Sequence, residues 1–75
     1  MIPRHLAERV WRVRRNHTSI DAQVRDCADA SGVEVQFFYD GALVIARRWP
    51  SRTEALACAA DRLLELQRAG WVTHW

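Results

Sequence analysis

This sequence lacks several features from which function is usually inferred. It has no lysine, so its 11 basic residues are all arginines. None of its apolar runs approaches the ~20 residues that a transmembrane helix needs. The first residues also lack the apolar segment of a secretion signal. We therefore expect a cytoplasmic protein that does not associate with a membrane.

Motifs for catalysis or metal binding are equally scarce. The two cysteines, Cys27 and Cys58, do not have the spacing of a metal or redox site. The three histidines, His5, His17 and His74, are isolated from one another. They could contribute to a metal site with Cys27, or they could simply be surface residues. There is no glycine-rich phosphate loop, and a chain of 75 residues leaves little room for a ligand pocket of ~300 Å³. We predict no enzymatic activity, no cofactor and no bound metal.

The positive charge is unevenly distributed, although the formal net charge is only +2. Five arginines lie in the first fifteen residues, where Glu8 is the single acidic residue: Arg4, Arg9, Arg12, Arg14 and Arg15. Guanidinium groups recognise phosphate and carboxylate with paired hydrogen bonds, which favours a functional interpretation. Codon usage in a GC-rich genome is the competing explanation.

Residues 33–48 predict a β-hairpin closed by Asp40-Gly41, two residues that tolerate the positive φ of a type I′ turn. A two-residue loop pairs Phe37 with Val44 on one side of the sheet. By the same parity, three large apolar residues fall on the other side: Phe38, Leu43 and Ile45.

A helix over roughly residues 52–69 is predicted next, and both of its ends carry signals. Ser51 and Glu54 have the spacing of a capping box, and Gly70 suits the left-handed position that ends a helix. The expected buried stripe consists of small and aliphatic residues: Leu56, Ala59, Ala60, Leu63 and Leu66. Cys58 is expected on the polar side of this helix.

Two further strands are expected before the hairpin, at 8–15 and 20–27, with a polar turn at 16–19. Trp11, Val13, Ala22 and Val24 would point into the core. The predicted fold is α+β: a four-stranded antiparallel meander sheet with one C-terminal helix on one face. Residues 1–75 would form a single domain, with 1–7 as a loose arm or lead-in and 72–75 as a tail that is either loose or folded back.

The segment from Phe37 to Trp71, about half the chain, resembles a type of small uncharacterised bacterial protein. The shared pattern is an aromatic strand, an Asp-Gly turn and an apolar strand ending Arg-Arg-Trp-Pro. Ser-Arg-Thr-Glu-Ala then opens a helix that ends Arg-Ala-Gly-Trp. This resemblance implies no activity. The strand order is also similar to the β4-α layout of Whirly-type domains that bind single-stranded nucleic acid, although no sequence motif of theirs is present.

The helix-free face of the predicted sheet suggests two functions. The first is a protein–protein interaction module, most simply a homodimer, because that face would expose Val10, Phe38, Leu43 and Ile45. An unidentified protein partner is a variant of this hypothesis. The alternative is single-stranded nucleic-acid binding through aromatic and guanidinium groups, for which the candidates are Arg12, Arg14, Arg25, Arg47 and Trp49.

Overall fold

The computed structural model describes residues 8–27 and 32–73. Four strands precede one helix: β1 (Glu8–Arg15), β2 (Thr18–Asp26), β3 (Val33–Tyr39), β4 (Ala42–Trp49) and α1 (Arg52–Arg68). A two-residue strand, β5 (Val72–Thr73), follows the helix and pairs with β1. All pairings are antiparallel and the order is β4-β3-β2-β1-β5. The α+β meander with a single C-terminal helix is therefore confirmed, and Val72 and Thr73 fold back onto the sheet. The arm predicted at 1–7 lies outside the described residues.

The first hairpin turns more tightly than its sequence suggests. Asn16 adopts a positive φ of 56°, so two residues suffice for the turn and Arg15 pairs with Thr18. Strand β2 consequently starts at Thr18, two residues before the predicted start. Its alternation is as expected, since Ala22 and Val24 are buried beneath the helix.

The second hairpin has the predicted turn but a different register. Asp40 and Gly41 take φ values of 51° and 85°, which is the positive-φ pair of a type I′ turn. Phe38 then pairs with Leu43, but Phe37 pairs with Ile45, so Val44 is left as a β-bulge. An extra residue in one strand reverses the faces of everything beyond it. The predicted placement of Ile45 and Arg47 on the helix-free face is wrong, because both fall on the helix side.

A second bulge changes the position of Val10. Arg9 pairs with Gln23 and Trp11 with Ala22, so Val10 has no partner on β2. Its side chain is half-buried and packs against the hydrophobic core. The prediction that Val10 belongs to the helix-free face is therefore also wrong.

The helix begins and ends where expected. The Ser51 hydroxyl accepts a hydrogen bond from the Glu54 amide at 3.3 Å, although the reciprocal bond of a capping box is not formed. At the other end Gly70 has a φ of 99°. The amide of Gly70 donates to the carbonyl of Gln67, and that of Trp71 to the carbonyl of Leu66, which is a Schellman ending.

The face that the helix buries is rotated from the predicted one. Ala55 and Ala59 are fully buried, and Cys58 is half-buried against the core instead of lying on the polar side. Leu56, expected in the stripe, is 37% exposed. The two buried alanines allow a close approach to the sheet, so the Trp11 indole donates to the Ala59 carbonyl at 2.8 Å. Short side chains at the contact thus bring the helix backbone within reach of a sheet residue.

The core is small and centred on β1 to β3. Nine of the described residues are buried hydrophobics: Trp11, Val13, Ala22, Val24, Val33, Val35, Phe37, Ala55 and Ala59. None of them belongs to β4, in which every residue before Trp49 is exposed. Within the described part of the chain, no helix is both long and apolar enough to span a bilayer.

Candidate interaction surfaces

Exposed apolar side chains are concentrated at the β3–β4 hairpin, on both faces of the sheet. Seven large hydrophobic side chains of the described chain are exposed, and four of them fall within this hairpin. We call these four residues the hairpin patch: Tyr39, Leu43, Val44 and Ile45. Val44 is the most exposed of them, at 61%. Their clustering distinguishes them from single surface hydrophobics, which are common on any protein.

A groove runs beside the hairpin patch on the helix side of the sheet. Its volume is about 200 Å³, and its lining is mostly apolar: Ile20, Phe37, Phe38, Tyr39, Val44, Ile45, Arg62 and Leu66. The Arg62 guanidinium lies 5.7 Å from the centroid of the Phe37 ring, close enough for a cation–π contact. The groove lies where the buried core, which is built on β1 to β3 and the helix, gives way to the exposed residues of β4.

Strand β4 is also an edge of the sheet. It pairs with β3 on one side, and no described strand pairs with its other side. Half of the backbone groups of an edge strand point away from the sheet and are available to another chain. The aliphatic run and the open edge therefore coincide on β4.

The helix-free face is polar rather than apolar. Asp21 lies between two guanidinium groups, with Oδ2 3.5 Å from Arg9 Nε and Oδ1 3.2 Å from Arg12 Nε. Arg25 Nε donates to Glu34 Oε1 at 3.2 Å, and the Gln36 amide donates to the same oxygen at 2.9 Å. This network occupies the centre of the face that was expected to expose Val10, Phe38, Leu43 and Ile45.

The predicted interface residues are thus divided between surfaces. Phe38 and Leu43 remain on the helix-free face as a cross-strand pair, with Phe38 half-buried. Val10 packs against the core, and Ile45 lies beside the helix-side groove. The structure does not bring the four residues together on one face.

The candidate nucleic-acid residues are divided as well. Arg12, Arg14 and Arg25 share the helix-free face, but Arg12 and Arg25 are paired with carboxylates. Arg47 is opposite Val35 and Trp49 opposite Val33, which places both on the helix side. Trp49 is half-buried against the core. The continuous aromatic and arginine surface that was predicted is not assembled.

The sequence prediction missed the β-bulge at Val44, although the residues around it contain a signal for one. Residues 42–46, Ala-Leu-Val-Ile-Ala, form an unbroken apolar run where a half-exposed strand should alternate. Such a run does not fit a strand in which successive side chains alternate strictly between a buried and an exposed face. A bulge resolves the conflict, because it lets neighbouring aliphatics contribute to one exposed edge.

No protein-family model matches this chain, and comparisons with curated proteins and with solved structures gave no match. The resemblance between residues 37–71 and small bacterial proteins therefore stays a prediction. Among residues 8–27 and 32–73, no group of three or more His, Cys, Asp or Glu side chains is placed to hold a metal ion.

Proposed function

We propose that this chain is a non-catalytic protein–protein interaction module that forms a homodimer through the outer edge of β4. The observation that carries this proposal is the coincidence of the hairpin patch with an open strand edge. Strand addition is a common mode of recognition, in which backbone hydrogen bonds supply affinity and side chains supply selectivity. In a homodimer, β4 of one copy pairs antiparallel with β4 of the other.

The sequence of β4 suits a second copy of the same chain. Its first half carries the aliphatic residues Leu43, Val44 and Ile45, and its second half carries Arg47 and Arg48. Antiparallel pairing about a two-fold axis places the aliphatic half of one strand beside the arginine half of the other. Arginines of the two copies then lie apart, and their methylene stems cover apolar surface.

The small core gives self-association a thermodynamic advantage. The largest fully buried side chains in the described chain are valines, as expected for a domain of this length. Burying an aliphatic side chain at an interface contributes about 1.5–3 kcal/mol. The bulge at Val44 and the two β4 arginines act against indiscriminate edge pairing, which favours one defined partner over aggregation.

The experiment is a sedimentation-velocity series over micromolar concentrations with two matched lysine substitutions. Val44→Lys removes an apolar contact from each copy, so the dimer should lose about 3 kcal/mol, or roughly a hundredfold in dissociation constant. Leu64→Lys is the control, because Leu64 is similarly exposed at 51% but lies on the helix. It should leave the dimer unchanged.

Two results would contradict the proposal. One is a wild-type chain that stays monomeric up to millimolar concentration. The other is a dimer that dissociates with Phe38→Arg but survives Val44→Lys, which would assign the interface to the helix-free face. Amide hydrogen exchange gives an independent measurement, since outward-facing amides of β4 should become protected as the protein concentration rises.

A further inference from the structure

A second recess lies on the helix-free face beside the β1–β2 turn. It has a volume of about 190 Å³ and is lined by Arg12, Arg14, His17 and Ser19. Arg12 and Arg14 are two residues apart on β1, so their side chains leave the same face with their Cα atoms ~6.6 Å apart. Ser19 is opposite Arg14 on β2, and His17 belongs to the turn. The described residues that line the recess carry hydrogen-bond donors, and none of them is a carboxylate.

The guanidinium groups around the recess have more charge and more donors than the nearby acids use. Arg9 and Arg12 share the single carboxylate of Asp21. Arg12 Nε lies 3.2 Å from that carboxylate, but its buried N–H makes no hydrogen bond within the described chain. Arg14 forms no ion pair with any described residue. At this end of β1, positive charge therefore exceeds the negative charge of the described carboxylates that pair with it.

Ser19 is held in place by its backbone rather than by its side chain. Its amide donates to Asp40 Oδ1 at 2.9 Å, and its carbonyl accepts from the Asp40 amide at 2.9 Å. The carboxylate of Asp40 is thus engaged with the backbone and is not among the groups lining the recess. The Ser19 hydroxyl makes no hydrogen bond to the described residues and is available as a donor.

We propose that this recess binds a phosphate group. Two guanidinium forks, a hydroxyl and an imidazole provide donors from several directions, which fits a tetrahedral anion with several acceptor oxygens. The site is separate from the β4 edge, because β2 and β3 lie between them. Its ligand is either a phosphodiester of a single-stranded nucleic acid or a free phosphate, and both present anionic non-bridging oxygens to the arginines.

The experiment is a chemical-shift titration of the ¹⁵N-labelled chain with inorganic phosphate and, separately, with a short single-stranded oligonucleotide. Ionic strength is held constant with chloride. Saturable shifts should be confined to the amides of residues 12–19 and to the ring protons of His17. Arg14→Gln should weaken phosphate binding about tenfold, since it removes a charge-assisted contact, and His17→Gln should weaken it less. Arg68→Gln removes the same charge from the last helical turn and should have no effect.

Each outcome either tests the phosphate site or identifies the source of the phosphate. Loss of binding in Arg14→Gln and retention in Arg68→Gln support the site. Saturation by phosphate alone identifies a free phosphate as the ligand, and tighter saturation by the oligonucleotide identifies a phosphodiester. Shifts that stay linear, or that are the same in Arg14→Gln as in wild type, would overturn it.

Discussion

Two tryptophans of this chain contribute to the core but differ in burial and in hydrogen bonding. Trp11 is 2% exposed and its indole donates to the Ala59 carbonyl. The Trp49 indole nitrogen is also buried, but it has no acceptor among the described residues. A satisfied buried donor stabilises the fold, and an unsatisfied one costs free energy. The two side chains should therefore respond differently to the same substitution.

We expect Trp11→Phe to lower the free energy of unfolding by about 2 kcal/mol, because it removes both packing and a buried hydrogen bond. Trp49→Phe should cost less than about 1 kcal/mol, since the lost packing is offset by removal of an unpaired donor. Urea denaturation of both variants measures the difference. Equal losses would show that the bond to Ala59 contributes nothing beyond packing.

Asp40 stabilises the β3–β4 hairpin turn and its contact with β2 in two ways. It holds a positive φ in the hairpin turn, and its carboxylate accepts from the Ser19 amide. Asp40→Ala loses both, so we expect a cost of about 2 kcal/mol in the free energy of unfolding. Asp40→Asn keeps an acceptor oxygen and tolerates the same backbone conformation, and should stay within about 0.5 kcal/mol of wild type. Thermal denaturation of the two variants, compared at matched protein concentration, distinguishes them.

At the scale of the elements, the start of the helix depends on a single side chain. Ser51 supplies the N-cap hydrogen bond to the Glu54 amide, without a reciprocal bond from the Glu54 carboxylate. Ser51→Ala should therefore destabilise the fold by about 1 kcal/mol. Ser51→Asp should be neutral or stabilising, because it keeps an acceptor and adds a negative charge near the helix N-terminus. Glu54→Gln should change stability by only a few tenths of a kcal/mol, and a loss as large as that of Ser51→Ala would indicate that the full capping box forms in solution.

The types and the ends of the strands and the helix were predictable, because a few turn and capping residues determine them. Asp40-Gly41 fixes a turn, and Ser51 and Gly70 fix the two ends of a helix. The faces were less predictable, since no single side chain fixes the position at which a bulge inserts a residue. The bulge at Val44 moved Ile45 and Arg47 to the helix side, and the one at Val10 moved that residue against the core. The predicted interface was wrong at Ile45 because it assumed that successive side chains of β4 alternate between the two faces without interruption.

The helix face was mispredicted for a related reason. Its apolar residues span a wide arc, so periodicity alone did not determine which part of the arc meets the sheet. Ala55 and Ala59 face the sheet because their short side chains let the helix backbone come close enough for Trp11 to donate to the Ala59 carbonyl. In this orientation of the helix, Leu56 and Leu64 are exposed. Packing against a specific sheet, rather than hydrophobicity along the helix, decided the orientation.

At the scale of the whole molecule, stability and association should be linked. Nine buried hydrophobic residues form the core of the described chain, and the hairpin patch lies outside it. If β4 pairs with a second copy, the dimer binds only the folded state and therefore shifts the folding equilibrium by mass action. The midpoint temperature of unfolding should then rise with protein concentration.

The measurement is a series of calorimetric scans from micromolar to near-millimolar chain concentration. Wild type should gain several degrees across this range, because a shift of 1 kcal/mol in a domain of this size moves the midpoint by ~4–8 °C. In Val44→Lys the same rise should require roughly a hundredfold higher chain concentration, and Leu64→Lys should follow wild type. At the lowest concentration the Val44→Lys midpoint should equal that of wild type, since Val44 is mostly exposed in the monomer and contributes little to its folding. A midpoint that is lower in Val44→Lys by the same amount at every concentration would instead mean that Val44 stabilises the single chain and is not part of the interface.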